Sequence, residues 1–326
     1  MKIVSLSVPK DRGLQTPNDD TILVMPGVLA VFDGATAPQK ARPIASTGRL
    51  ASQGAAMAIA KLAVTQDLIA MPAQDVFAEI SARIRAVSTR ENLEGKPSTT
   101  MSMAVMGADE IRFLAVGDSG IRVNGAQIIR REKPIDDVST GNRLAVYRVL
   151  SQRHADPDEV ERLARFVVFE GFDEAVGTGA LQKDEAATIR DDLIEQYRGL
   201  TDPDALCRFL AKGIRQQYHF ANRTDHPMGF STLNGDTTSM AEIIDRKLAR
   251  SDVRTLEIFT DGYFLEPQHV SLEAWEDAFA LTEKEDFHKL HRFANVKGST
   301  TREFADDRSV IVAEGVDQAG VFEAGA

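Results

Sequence analysis

The 326-residue sequence has a single cysteine, Cys207, and a single tryptophan. One cysteine excludes an intramolecular disulfide and any zinc site built from two or more thiolates. We therefore expect a reducing, cytoplasmic setting. Cys207 lies in the helix-like stretch 206–210, where a buried thiol is more common than a reactive nucleophile.

Basic residues are also scarce relative to acidic ones. Lysine and arginine number 38 against 49 aspartates and glutamates, which gives a formal net charge of −11. Such a chain repels a phosphate backbone unless a local basic patch compensates. We do not expect nucleic acid to be a main partner.

Long hydrophobic runs are missing as well. The most apolar stretch, 22–32, is interrupted by Pro26 and Gly27 and is shorter than the roughly 20 residues of a membrane-spanning helix. Residues 1–10 lack the basic start and long apolar segment of a secretory signal. The sequence predicts neither membrane insertion nor export.

The composition is that of an ordinary globular protein, with 43% hydrophobic and 27% charged residues. Short β-branched runs near the N-terminus predict strands, and two amphipathic helices follow at 44–68 and 73–90. Further strands are predicted at 99–106, 111–116 and 120–129 as an antiparallel meander. Strands and helices that come in separate blocks favour an α+β fold with antiparallel sheets.

The chain changes character between about residues 139 and 225, which are polar and helical. We interpret them as a helical insertion within one domain that spans 1–326. Strands resume at 238–243 and 255–259, a helix is predicted over 271–294, and a last strand at 309–313.

Several apolar strands run into or out of an aspartate. The aspartates concerned are Asp33, Asp118, Asp261 and the pair Asp306 and Asp307, with a further pair, Asp19 and Asp20, before the strand at 21–24. If the strands lie side by side, their ends bring several carboxylates together, an arrangement that like-charge repulsion disfavours. Magnesium or manganese would relieve that repulsion, because both prefer oxygen ligands.

Each of these segments has a simpler interpretation. Asp-Gly after a strand is a strong hairpin signal, so any single instance most often marks a turn. The joint pattern is more specific than its parts.

Taken in order, the motifs 18–20, 31–34, 98–100, 116–119, 259–262 and 306–311 resemble those of the metal-dependent protein phosphatases of type 2C, the PPM family. The resemblance spans about 1–137 and 228–314. It implies an α-β-β-α sandwich, in which two antiparallel sheets are flanked by helix pairs. It also implies two Mg²⁺ or Mn²⁺ ions per site and a weaker third site.

The same resemblance implies roles for individual residues. Asp33 resembles the acid that bridges two metals, and Gly34 would offer its backbone carbonyl to one of them. Asp261 and Asp306 resemble ligands of the other metal. Asp20, with Asp19 beside it, resembles the acid pair at the first metal, and Asp118 with Asp261 resembles the weaker third site. The helical insertion lies where the family often carries a flap.

The sequence departs from the family pattern at three places. Many members have an arginine before the first acid pair, where this chain has Gln15, so the group that binds substrate phosphate is unassigned. Four nearby basic residues could replace that arginine, namely Lys10, Arg12, Lys40 and Arg42. The simpler interpretation is that each is a solvated surface charge. Ala35 replaces the histidine of eukaryotic members, and Asp307 replaces a usual asparagine, which leaves Asp306 and Asp307 as alternative ligands.

Other motifs give weaker hypotheses. Ser119 lies in a Gly-Asp-Ser-Gly segment like that of chymotrypsin-like proteases, but the flanking residues do not fit. His288 and His291, beside Glu285 and Asp286, could bind a metal, although a solvated helix face is favoured. His219 and His226 belong to no recognisable constellation.

The leading hypothesis is a magnesium- or manganese-dependent phosphatase that hydrolyses phosphoserine or phosphothreonine on a protein substrate through a metal-activated water, with Asp33 and Asp261 central to catalysis. One alternative keeps the site but acts on a small-molecule phosphate ester. Another is a catalytically weak relative that acts as a binding or regulatory module. The oligomeric state is unknown.

Overall fold

A computed structural model describes residues 1–35, 46–93 and 96–318. Among these residues the strands are β1 Lys2–Val8, β2 Thr21–Met25, β3 Val28–Phe32, β4 Gly34–Ala35, β5 Ser98–Thr99, β6 Met101–Met106, β7 Glu110–Val116, β8 Gly120–Val123, β9 Gln127–Ile129, β10 Ile244–Ala249, β11 Thr255–Phe259 and β12 Arg308–Glu314. The helices are α1 Thr47–Thr65, α2 Ala73–Arg90, α3 Pro134–Leu150, α4 Pro157–Glu170, α5 Phe172–Gly177, α6 Lys183–Gln196, α7 Pro203–Lys212 and α8 Leu272–Glu285.

The chain forms two compact units. The first unit comprises 1–132, 231–281 and the chain from Asp307 onward. The second comprises 133–230 and 282–306.

The first unit contains two five-stranded sheets with antiparallel pairing throughout. One has the strand order β1-β12-β11-β8-β9, and the other has β10-β7-β6-β3-β2. The first and last long strands, β1 and β12, pair with each other from Lys2 with Glu314 to Val8 with Arg308. The predicted α+β class with two antiparallel sheets is confirmed.

The core of this unit lies in two layers. Between the sheets, side chains of β3 and β7 such as Leu29 and Phe113 pack with Ile258 and Ile311 of β11 and β12. A second apolar cluster joins the other face of β3 and β6 to α1 and α2. These central strands are buried on both faces, which explains their continuous apolar sequences.

On the opposite side, α8 places Trp275 against Phe259 of β11, with ring centroids 4.7 Å apart. Among the described residues of this unit, α1 and α2 form a contacting pair, while α8 packs on the other sheet as a single helix.

The predicted meander at 99–129 has an unexpected division. β6 and β7 belong to one sheet and β8 and β9 to the other, so the chain changes sheet between Val116 and Gly120. Gly117 makes this possible, since its φ is +85° and a Cβ there would lie 2.5 Å from the Thr100 side chain. Asp118 therefore lies at the change of sheet.

Two predicted elements were wrong in extent. The strand expected at 238–243 is instead a short 3₁₀ helix, Met240–Glu242, and the strand begins at Ile244. The helix expected over 271–294 ends at Glu285. Lys289 adopts a left-handed φ of +51°, and its buried ammonium donates to the carbonyls of Thr282 and Asp286, which terminates the helix.

The second unit is helical, and the predicted insertion at 139–225 falls inside it. Its apolar core is formed by residues of α3, α4, α6 and α7. Arg143 and Glu161, both fully buried, form an ion pair there, and Arg143 also donates to the backbone oxygen of Lys289. In the described part of the chain, no helix has the length and apolar character needed to cross a membrane.

Candidate functional site

Three of the predicted aspartates converge in the first unit. One carboxylate oxygen from each of Asp33, Asp118 and Asp261 lies within 4.8 Å of the other two. All three residues are partly buried. Within the described residues, this is the one group of three or more acidic, histidine or cysteine side chains close enough to hold a metal.

Asp33 follows the fully buried strand β3 and precedes β4. Its backbone carbonyl accepts hydrogen bonds from the Thr100 amide at 2.9 Å and from the Thr99 hydroxyl at 2.7 Å. These bonds connect the end of β3 to the residues just before β6 and fix the position of the Asp33 backbone.

Asp118 is positioned by polar contacts around its neighbours. The Gly117 amide donates to Ser231 Oγ at 3.3 Å, and the hydroxyls of Thr100 and Ser119 are 2.6 Å apart. Ser102 Oγ donates to the Ser119 carbonyl at 2.8 Å. These bonds fix both sides of Asp118 in the segment that changes sheet.

Asp261 follows β11 through Thr260, whose hydroxyl donates to Asp20 Oδ2 at 2.8 Å. The Ser309 amide donates to the same hydroxyl oxygen at 2.9 Å. After Asp261, a Cβ on Gly262 would lie 1.9 Å from the Asp307 carbonyl oxygen, so only glycine fits this turn. The structure thus connects Asp20 to Asp261 through one threonine, without placing Asp20 in the cluster of three.

Asp19 and Asp307 contact a lysine near them. The Lys10 ammonium lies 2.9 Å from Asp307 Oδ2 and 3.7 Å from Asp19 Oδ2. The Lys10 amide also donates to Asp307 Oδ1 at 2.7 Å. Asp19 additionally accepts a hydrogen bond from Ser46, the N-cap of α1. Both carboxylates are almost fully buried, with 7% and 5% of their side chains exposed.

Asp306 and Gly34 have different surroundings. Asp306 belongs to the second unit, where its Oδ2 accepts from the Lys297 ammonium at 2.8 Å. Gly34 pairs with Thr99 in the small sheet of β4 and β5. Its carbonyl oxygen lies against Gly48 of α1, where a Cβ would be 2.5 Å away.

The basic residues considered for phosphate binding separate into three groups. Lys10 is engaged by two carboxylates, Arg12 is exposed, and Lys40 and Arg42 lie outside the described residues. The sequence analysis missed Arg49, which is in the first turn of α1 and donates from Nη1 to the Asn18 carbonyl at 3.2 Å. The sequence feature that could have indicated Arg49 is its position at the start of an Ala-rich helix that follows the first acidic motifs.

The rival motifs have structural roles. Ser119 is fully buried and hydrogen-bonded to Thr100, so its hydroxyl is not exposed for attack on a substrate. The Asp286 carboxylate accepts from the amides of Leu290, His291 and Phe293. Burial opposes ionisation of Asp286, but these amides outweigh it and lower its pKa.

The cluster of Asp33, Asp118 and Asp261 fits a divalent cation by the chemistry of its donors. All three side chains are carboxylates, the oxygen donors that suit Mg²⁺ and Mn²⁺, and they are partly buried after strands of both five-stranded sheets. Their mutual repulsion favours binding of a cation at this position.

Comparison with known proteins gives structural matches only, since neither a family model nor a curated protein matches the sequence. Serine/threonine phosphatase Stp1 from Staphylococcus aureus matches at 13% identity over 96% of this chain and 94% of that one, with a TM-score of 0.47. The PPM Ser-Thr phosphatase MsPP from Mycobacterium smegmatis matches at 12% identity over 96% and 98%, with a TM-score of 0.42. The catalytic domain of the phosphatase PstP, solved in complex with two manganese ions, matches at 15% identity over 96% and 97%, with a TM-score of 0.42. All three matched proteins are described as serine/threonine phosphatases, and MsPP is described as a PPM phosphatase.

Proposed function

We propose that this protein is a metal-dependent phosphatase that hydrolyses phosphoserine or phosphothreonine on proteins. The observation that carries this proposal is the convergence of Asp33, Asp118 and Asp261, which follow strands of both five-stranded sheets. The order of the six acidic and polar motifs in the sequence supports the same function.

In this proposal, Asp33 and Asp261 are the main metal ligands and Asp118 contributes to a weaker site. Bound Mg²⁺ or Mn²⁺ would lower the pKa of a coordinated water and stabilise charge on the phosphoryl oxygens. The strand-end backbone contacts keep the three carboxylates in place before substrate binds, which limits reorganisation during the reaction.

Asp20 acts as a positioning residue for Asp261 through the Thr260 hydroxyl, in addition to its proposed role beside the first metal. Asp306 remains a proposed ligand from the sequence resemblance, as does the carbonyl of Gly34. Asp307 is better suited to an anchoring role, because Lys10 engages both of its carboxylate oxygens.

Arg49 is the residue that we assign to the substrate phosphate. It lies in the first turn of α1, where the helix dipole also favours an anion, and is tied to the Asn18 carbonyl beside the acid pair. Among the described residues, no carboxylate forms an ion pair with Arg49, whereas Lys10 is already paired with the carboxylates of Asp19 and Asp307.

The Arg49 assignment predicts a specific kinetic effect. Arg49→Gln is expected to raise KM for a phosphothreonine peptide by about tenfold, with a smaller change in kcat, because a charge-assisted contact to bound substrate is lost. Arg254→Gln, an exposed arginine of the same unit, is the matched control. An unchanged KM in Arg49→Gln would refute the assignment.

The function is tested by measuring hydrolysis of para-nitrophenyl phosphate and a phosphothreonine peptide with Mn²⁺, with Mg²⁺ and with EDTA. Turnover is expected only with a metal, and it should be lost in Asp33→Asn and Asp261→Asn. Asp109→Asn, in the hairpin turn before β7, is the control and should retain activity.

Preference for the peptide would support a protein substrate, whereas preference for the small ester would favour a small-molecule phosphatase on the same site. Absence of turnover with every metal would refute the enzymatic proposal and favour a binding module.

A further inference from the structure

A cavity of about 520 Å³ lies within the second unit, beside α7 and the 3₁₀ helix Ile214–His219. Its volume falls in the range of small-molecule sites, about 300–1,000 Å³. The described residues that line it include Arg208, Phe209, Lys212, Phe220, Arg223 and His226.

The charge of the lining is opposite to that of the protein. The described lining residues include three strong cations and two histidines but no aspartate or glutamate, although the net charge of the chain is −11. Because the chain as a whole is negatively charged, a basic lining without carboxylates distinguishes this cavity from the average of the protein.

The three cations differ in their partners. The Lys212 ammonium lies 2.8 Å from Asp173 Oδ2. Arg223 forms a bidentate ion pair with Asp225, in which both hydrogen bonds are 2.7 Å long. Arg208, by contrast, has no ion-pair or hydrogen-bond partner for its guanidinium among the described residues. One full positive charge is therefore available to a ligand in the cavity.

The remaining wall is apolar and aromatic. Phe209 is 3% exposed and contacts the edge of Phe220, with ring centroids 5.8 Å apart. The His226 ring lies 4.8 Å from that of Phe220. His226 Nδ1 accepts the Met228 amide at 3.1 Å, so the neutral ring carries its proton on Nε2 and retains a donor.

We propose that this cavity binds a small aromatic acid, with its ring against Phe209 and Phe220 and its anionic group on Arg208. A carboxylate and a phosphonate each present a pair of oxygens that can accept two hydrogen bonds from one guanidinium. The cavity is too small for a folded partner and large enough for a bicyclic ring with one acidic group. This binding site is independent of the proposed phosphatase centre.

The test is isothermal titration calorimetry of the full chain in EDTA, which keeps divalent metals from contributing to anion binding. The probes are 2-naphthoate and 2-naphthylphosphonate, which distinguish a carboxylate from a phosphonate ligand. Two controls each lack one feature: 2-naphthylmethanol has the ring without the charge, and acetate has the charge without the ring.

At least one of the two acidic probes is expected to bind with a Kd below about 1 mM, and each control compound should bind at least tenfold more weakly. Arg208→Gln should weaken the binding of that acid about tenfold, since it loses a charge-assisted contact. Arg190→Gln, a partly exposed arginine of α6 outside the lining, is the control and should bind as the wild type does. Circular dichroism checks that both variants keep their helices.

The proposal is overturned if neither acid binds to the wild type at millimolar concentration. It is equally overturned if Arg208→Gln binds as tightly as the wild type, or if the neutral alcohol binds as tightly as the acids. None of these results bears on metal-dependent phosphate hydrolysis, so the two proposals fail separately.

Discussion

Replacing Lys10 by methionine tests the contact that holds Asp307 beside the acid pair. The ammonium lies 2.9 Å from Asp307 and 3.7 Å from Asp19, and the carboxylate of Asp307 is only 5% exposed. Methionine retains most of the apolar stem and removes the charge. Asp307 then keeps the hydrogen bond from the residue-10 amide but loses its cationic partner.

The expected cost follows from these contacts. Losing one partner of a fully buried ion pair costs about 3–5 kcal/mol, and a hydrogen bond to a charged group contributes about 1.5–3 kcal/mol. Because 21% of the Lys10 side chain is exposed, water compensates in part, and we expect a loss of about 2–3 kcal/mol in the free energy of unfolding.

The assay is urea unfolding in EDTA, followed by tryptophan fluorescence. Trp275 is the single tryptophan and is fully buried in the first unit, so the signal reports that unit. At an m-value of about 2 kcal/mol per M, the midpoint should fall by about 1 M. Lys61→Met, an exposed lysine of α1, is the control and should change stability by less than about 0.5 kcal/mol.

A double-mutant cycle isolates the contact itself. Lys10→Met, Asp307→Asn and the double variant should give a coupling energy of at least about 1.5 kcal/mol. Additive effects, with a coupling below about 0.5 kcal/mol, would refute the reasoning that the ammonium stabilises a buried Asp307 carboxylate.

Three further predictions concern other parts of the structure. Burial opposes ionisation of Glu276, but hydrogen bonds from Arg308 and Tyr263 outweigh it and lower its pKa. The wild type should therefore be more stable than Glu276→Gln above about pH 4.5 and should lose this advantage as the pH falls through the lowered pKa. Fluorescence-monitored unfolding at several pH values measures the difference. Gly262→Ala should reduce metal-dependent hydrolysis at least tenfold, because the added methyl group collides with the Asp307 carbonyl oxygen at the position directly after Asp261. Kinetics equal to those of the wild type would contradict this. Arg143→Met should destabilise the second unit by about 3 kcal/mol, the lower end of the cost of breaking a buried ion pair, because the fully buried Glu161 loses Arg143 but keeps Arg165 at 3.1 Å. Faster amide exchange in that unit is the readout.

The positions of the main acids were predictable from sequence because they depend on local pattern. Asp33 and Asp261 each follow a short apolar run, and such runs form buried strands that end where the polar residues begin. The order of the motifs also indicated that Asp33, Asp118 and Asp261 lie together, whereas Asp20 and Asp306, indicated by the same order, are not in the cluster of three. The antiparallel sheets followed from the blocks of strands and helices, and their number, two, was implied by the family resemblance.

Contacts between distant segments could not be predicted in this way. Lys10 and Asp307 are 297 positions apart and meet because β1 pairs with β12, which no local signal specifies. The change of sheet at Gly117 depends on a positive φ and on close contact with Thr100. The early end of α8 likewise depends on the buried ammonium of Lys289, although the sequence there continues a helical pattern.

The alternatives for the last acidic motif illustrate the same limit. Asp306 and Asp307 are adjacent, so sequence spacing could not separate them. The structure places them in different surroundings, with Asp307 held by Lys10 and Asp306 by Lys297.

Direct measurement of Mn²⁺ binding tests the central claim that Asp33, Asp118 and Asp261 form a divalent cation site. Electron paramagnetic resonance of free Mn²⁺, titrated with metal-free protein, gives affinity and stoichiometry without requiring turnover. We predict binding to the wild type, at least tenfold weaker binding in Asp33→Asn and Asp261→Asn, and loss of only the weaker ion in Asp118→Asn. Equal Mn²⁺ affinity and stoichiometry in the wild type and all three variants would contradict the account.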